Sequence, residues 1–222
     1  MSVLSNKYIT VNGDSICNGA GCGGGYVKII AERCGMKYQN IAVNGASITA
    51  ETYRKSGAPR HWVCRTVCEM DASADYAIVE GGVNDASTNT PIGKMTVGYN
   101  EPLDDTTFIG AFESMLKQLT KRFHGKKIGY IAAHQMTDKF TPGYAGEDNF
   151  YLAAKRCCEK WGVPFCDLTL SVPPFAYFKE DGDPDLYAMR EAYTMNGDGW
   201  HPNEAGYKKY YCDKIEAWLK SL

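Results

Sequence analysis

KYITVNGDS, residues 7–15, is the stretch on which the fold turns. An apolar run carrying β-branched Ile9, Thr10 and Val11 halts at Asn12, Gly13, Asp14 and Ser15, a cluster of turn formers. The stretch predicts a first strand over 7–12 whose carboxyl end delivers Gly13, Asp14 and Ser15. Outward from it the chain alternates. Residues 26–34 have helical period and stop at Gly35, and residues 38–43 read as a second strand ending at Asn44 and Gly45. Residues 61–70 are helical, and residues 75–80 (DYAIVE) form a third strand ending at Gly81 and Gly82. Residues 106–124 make the clearest amphipathic helix, followed by a strand over 127–133, a helix over 147–161 closed by Gly162, and a strand over 164–168. A terminal helix covers 203–222, with Asn203 as its N-cap after Pro202.

Strands that alternate with helices imply a parallel sheet covered on both faces. The expectation is an α/β fold, a three-layer α/β/α sandwich with a five-stranded parallel sheet of flavodoxin-like order 2-1-3-4-5, built as one domain over 1–222. Two connections, 83–105 and 169–198, are long, and each leaves the carboxyl end of a strand, where such folds bind ligands. They are expected to wall a pocket.

Composition narrows the function. The chain has 222 residues, with 24 basic against 26 acidic side chains and a net charge of −2, so it has no electrostatic footprint for nucleic acid or an anionic membrane. Hydrophobic residues make up 44%, enough for a packed core rather than a disordered chain. No apolar segment of residues 1–20 reads as a secretory leader, and the low-charge stretch 8–27 is too rich in Gly, Asn and Ser to span a bilayer. Nine cysteines cannot all pair internally, which favours reduced thiols and a cytoplasmic location. Cys64 and Cys68 lack the second ligand pair of a zinc site, so neither metal nor cofactor is expected.

Chemistry-bearing residues gather in four short blocks: Gly13-Asp14-Ser15-Ile16, Asn44-Gly45-Ala46-Ser47, Gly82-Val83-Asn84-Asp85 and Asp198-Gly199-Trp200-His201-Pro202. Parallel strands end on one side of a sheet, so the first three must converge, and the fourth opens the terminal helix. Taken together, in this order, the blocks resemble the SGNH hydrolases, also called the GDSL esterase/lipase family, over residues 7 to about 222. Ile16 stands where the family name has Leu, a volume-conserving exchange.

The resemblance implies a serine esterase. Ser15 would be the nucleophile, His201 the base that takes its proton, and Asp198 the carboxylate that fixes the imidazole tautomer. The family pattern assigns the oxyanion donors to the backbone N–H of Ser15, the backbone N–H of Gly45 and the side-chain amide of Asn84. Asp14 is expected to cap or orient the turn. Trp200 reads equally as core packing or as a pocket wall, and His134, after the fourth strand, as a candidate pocket residue. Asp85 is expected to be structural. The expected partner is a small-molecule or carbohydrate ester, with an O-acetyl sugar favoured and no nucleic acid or membrane. The alternatives are a lysophospholipase or thioesterase of the same family, or a metal-dependent phosphoesterase using Asp14, Asn84, His134 and His201 as ligands. A non-catalytic module on the same fold is the remaining reading.

Overall fold

The computed structural model describes residues 2–50, 61–88 and 90–222. Residue 89, within the expected long connection 83–105, lies outside the described residues. Five strands, β1 (Tyr8–Asn12), β2 (Lys37–Asn40), β3 (Tyr76–Glu80), β4 (Lys127–Ala132) and β5 (Phe165–Asp167), form one sheet in the order β2-β1-β3-β4-β5. Every pairing is parallel; Ile9 lies beside Tyr38 on one side and Tyr76 on the other, and Val79 lies beside Tyr130. The order expected from the alternation is the order observed.

Among the described residues the α-helices are α1 (Ser15–Asn18), α2 (Gly25–Cys34), α3 (Val63–Thr66), α4 (Val83–Ser87), α5 (Phe108–Arg122), α6 (Phe150–Trp161), α7 (Pro184–Tyr193), α8 (Glu204–Gly206) and α9 (Asp213–Ser221). The apolar faces of α5 and α6 pack on the sheet through Phe108, Phe112 and Phe150, whose rings meet one another and Tyr130. On the opposite face of the sheet, α2 and α9 bring Val27, Ile30, Ile215 and Leu219 together with Ile9, Val11 and Ile78. All five residues of β3 are buried, the near-continuous apolar run of a strand covered on both faces, with Glu80 its one charged member.

The helix expected over 61–70 is α3 followed by a 3₁₀ turn, Val67–Glu69, and three further expectations change in detail. β2 ends at Asn40 rather than running to 43: Asn40 Oδ1 accepts from the Ala42 N–H at 3.0 Å while its amide donates to Cys17 O at 2.9 Å, turning the chain out of the sheet. The terminal helix is not uniform. Asn203 caps it as expected, accepting from the Gly206 N–H at 3.0 Å, but Tyr207–Cys212 is a π-helical turn between α8 and α9. The connection 169–198 contains a helix of its own, α7, capped by Asp183 with Pro184 in its first turn.

Candidate active site

β1 ends, and Ser15 is the first residue of α1. Asp14 is the N-cap: its Oδ1 accepts from the Ile16 N–H at 2.9 Å, which explains its almost complete burial. Beneath this corner lies Glu80, fully buried at the end of β3. Its Oε2 accepts from the Cys17 N–H at 3.2 Å and the Asp14 N–H at 3.4 Å. Burial first, and the neighbouring Asp14 carboxylate second, push Glu80 well above the usual carboxylate range, so it carries its proton where an exposed glutamate has lost it.

Asp198 and His201 sit in the loop before α8. The loop is clamped by backbone: the Met195 N–H donates to His201 O at 2.7 Å and the Asn203 N–H to Tyr193 O at 3.0 Å. Asp198 Oδ1 accepts from the N–H groups of Trp200 and His201 at 2.8 and 2.9 Å, leaving Oδ2 for His201 Nδ1 at 2.6 Å. A carboxylate on Nδ1 places the imidazole proton there and makes Nε2 an acceptor. His201 Nε2 is 3.0 Å from Ser15 Oγ, across 186 positions of sequence. The terminal helix secures the approach from below, where Tyr207 OH donates to Ile16 O at 2.9 Å.

Gly45 has φ of 70°, a left-handed conformation that an L side chain resists, and this bends the second block's loop toward Ser15. Asn18 Nδ2 donates to Asn44 Oδ1 at 2.7 Å, tying that loop to α1. Asp85 is structural in the way expected: its two oxygens accept from the Ile48 and Thr49 N–H groups at 2.9 Å each, fastening the loop to α4. Asn84 also projects from α4, and its amide donates to Ala46 O at 2.9 Å and Asp14 Oδ2 at 3.2 Å. So of the three expected oxyanion donors, the Asn84 amide is engaged within the protein, its longer bond being the one to Asp14.

Asp14, Ser15, Gly45, Asn84, Trp200 and His201 line one cleft of about 420 Å³, with Ile16, Val83, Met136 and Met195 supplying apolar wall. Trp200 stands on the rim at 39% exposure, a wall rather than core. His134 does not reach the cleft, which corrects the expectation of a pocket residue. It is fully buried, with Tyr211 OH on its Nδ1 and Phe175 against its ring, because the π turn of the terminal helix carries Tyr211 over the end of β4. Burial first, then the nearby His201, lower its pKa from 6.5 to about 3, so it stays neutral behind the site. With His134 withdrawn and Asp14 capping α1, the ligand set of the phosphoesterase alternative is not assembled.

Sequence reasoning missed Glu80, although a carboxylate closing the apolar run 76–79 was a visible signal. It also missed Arg190, which gives no such signal: from α7 its Nε donates to Gly197 O at 2.6 Å and its Nη1 to Phe178 O at 3.0 Å, bracing the loop that carries Asp198.

Known proteins share this fold. The family model described as GDSL-like Lipase/Acylhydrolase family matches residues 11–209. No curated protein matches the chain. Among solved structures, a protein from Lactobacillus plantarum is 23% identical, with a TM-score of 0.72 and 98% of each chain covered. A psychrotrophic esterase from Pseudoalteromonas sp. is 15% identical, with a TM-score of 0.59 over 97% of this chain and 98% of that one. A family two carbohydrate esterase from Clostridium thermocellum is 17% identical with the same TM-score, over 97% of this chain and 63% of that one.

Proposed function

The chain belongs to the GDSL-like lipase/acylhydrolase family and is a carboxylic ester hydrolase; from that premise we propose that it cleaves a small acyl ester, an O-acetyl group on a carbohydrate, through an acyl-enzyme on Ser15. The observation that carries this reading is the unbroken relay Asp198–His201–Ser15, at 2.6 and 3.0 Å. His201 Nε2 takes the proton as Ser15 Oγ attacks the ester carbonyl, and Asp198 stabilises the imidazolium. The tetrahedral oxyanion is met by the backbone N–H groups of Ser15 and Gly45. It also draws the Asn84 amide hydrogen away from Asp14, whose bond to it is the longer one. His201 then returns the proton to the leaving alcohol, and water repeats the sequence on the acyl-enzyme to release the acid and free Ser15.

Acyl size is read from the cleft. Its volume is about 420 Å³, and its apolar wall is made by Ile16, Val83, Met136 and Met195. These features favour a short acyl group over the long chain of a lysophospholipid. Seven of the nine cysteines are buried as free thiols, which fits work in a reducing compartment.

The test is hydrolysis of p-nitrophenyl acetate by wild type and Ser15→Ala. The variant is expected to fold normally and to lose at least about 10³-fold in kcat. Equal rates would remove Ser15 from the reaction.

A further inference from the structure

A second groove of about 390 Å³ opens beside the catalytic cleft, lined by Ser87, Asp138, Tyr177, Lys179, Met136 and Trp200 among others. Met136 and Trp200 also line the cleft around Ser15, so the two hollows share a wall. Acyl-transfer chemistry gives that adjacency a direction. The imidazole that takes the Ser15 proton must hand it to the leaving oxygen, so the alcohol portion departs on the His201 side. Trp200 is the residue next to His201, and the groove continues beyond it. Gly45 and Asn84 belong to the oxyanion side of the cleft and do not line the groove.

We propose that this groove is the subsite for the alcohol portion of the substrate, and that it takes a neutral polyhydroxylated ring, a pyranoside. The proposal rests on the serine-esterase reading above and adds to it where the sugar sits. Tyr177 and Trp200 are 43% and 39% exposed, an unusual outlay of large aromatic surface for one groove. Flat exposed rings match the apolar C–H face of a pyranose. The polar groups between them carry both signs. Tyr177 OH donates to Asp138 Oδ1 at 2.7 Å, and Lys179 Nζ donates to Ala176 O at 2.8 Å. Asp138 Oδ2 and the remaining ammonium hydrogens of Lys179 are then placed to accept from and donate to ring hydroxyls, with the Ser87 hydroxyl at the same groove. One carboxylate beside one ammonium gives no net field to select an anionic headgroup. A long acyl chain would have to bury both charges against hydrocarbon.

The experiment compares two acetate esters by proton release: ethyl acetate, whose alcohol ends before the groove, and methyl O-acetyl-xylopyranoside, whose alcohol fills it. Wild type is expected to prefer the sugar ester in kcat/KM. Tyr177→Ala is expected to lower kcat/KM on the sugar ester about tenfold, chiefly through KM, while ethyl acetate changes less than about twofold. Lys179→Ala should act in the same direction with a smaller loss. Deacetylated methyl xylopyranoside should inhibit ethyl acetate hydrolysis competitively in wild type and more weakly in Tyr177→Ala. Equal losses on both esters, no loss on either, or no preference by wild type would overturn the subsite. A wild type that hydrolyses neither ester would instead overturn the esterase reading. One that cleaves ethyl acetate through Ser15 without favouring the sugar ester defeats the groove alone.

Discussion

Ser15 and His201 are held by two different kinds of structure. Ser15 grows out of the sheet: it follows β1 directly, with a buried carboxyl cap at Asp14 and buried Glu80 beneath, so its backbone is fixed by the core itself. His201 rides on a loop outside the sheet, and both it and Asp198 are partly exposed. What fixes the loop is a set of hydrogen bonds from Arg190, Thr194 and neighbouring backbone, including Thr194 Oγ1 accepting from the Gly199 N–H at 3.0 Å. The proposed nucleophile is thus placed by packing and the proposed base by polar ties. Damage to the first should appear as lost stability, and damage to the second as lost rate in a protein that still folds.

The largest expected effect lies on the loop side. His201→Ala should reduce kcat on p-nitrophenyl acetate by about 10⁴-fold or more with an unchanged thermal midpoint, measured by steady-state kinetics and melting on the same samples. A coincident collapse of the midpoint would blur the contrast between the two regions. Asn84→Ala, on α4 with its amide on Asp14 and Ala46, is expected to cost about 10²–10³-fold in kcat through loss of an oxyanion donor. A change confined to KM would move Asn84 from stabilising the oxyanion to binding substrate. Arg190→Met keeps bulk but removes the brace. A fall of about tenfold in kcat is expected, recovered in part by Arg190→Lys, because a small misplacement of the base is enough to slow proton transfer. Equal rates in all three proteins would show that the backbone ties alone hold Asp198.

The smallest effects on rate, and the clearest on stability, belong to the buried groups behind the site, Glu80 and His134. Glu80 has a folded-state pKa raised above its unfolded value. The folded protein therefore binds the extra proton, and stability falls as pH rises through the window above the usual carboxylate range. Glu80→Gln mimics the protonated form and should gain stability toward alkaline pH in urea titrations, with near wild-type rate. Glu80→Ala should instead lose about 1–3 kcal/mol by orphaning the Asp14 and Cys17 N–H groups. His134 works at the other limb. Its pKa is lowered from 6.5 to about 3, so the unfolded chain binds the extra proton between those values and stability drops as pH falls through them. The full term is of order 5 kcal/mol. Urea midpoints that stay level from pH 6.5 to 4 would contradict it.

How much of this was legible follows from the same division. The five strands and their order could be read because central parallel strands are apolar runs that stop at Gly, Asn and Asp, and because strand ends share one edge. Ser15, Gly45 and Asn84 could be brought together on that basis. The Asp198–His201 pair was visible as a spacing, but the tertiary hydrogen bonds that aim it were not. Arg190 acts through two carbonyls of distant residues, and a carbonyl has no residue identity to read. The placement of His134 failed for a related reason. Following a strand brought it to the correct edge, but a π turn, which no periodicity announced, covered it with Tyr211. α7 was overlooked inside a long connection even though the Asp183-Pro184 start is a helix signal.

The proposed mechanism requires His201 to activate Ser15 for attack. The direct measurement is peptide mapping by mass spectrometry after brief exposure to a fluorophosphonate, on wild type and His201→Ala side by side. A single adduct on the peptide containing Ser15 is expected in wild type, and at most a trace in the variant over the same time. An adduct on another residue, or equal labelling of Ser15 in both proteins, would contradict it.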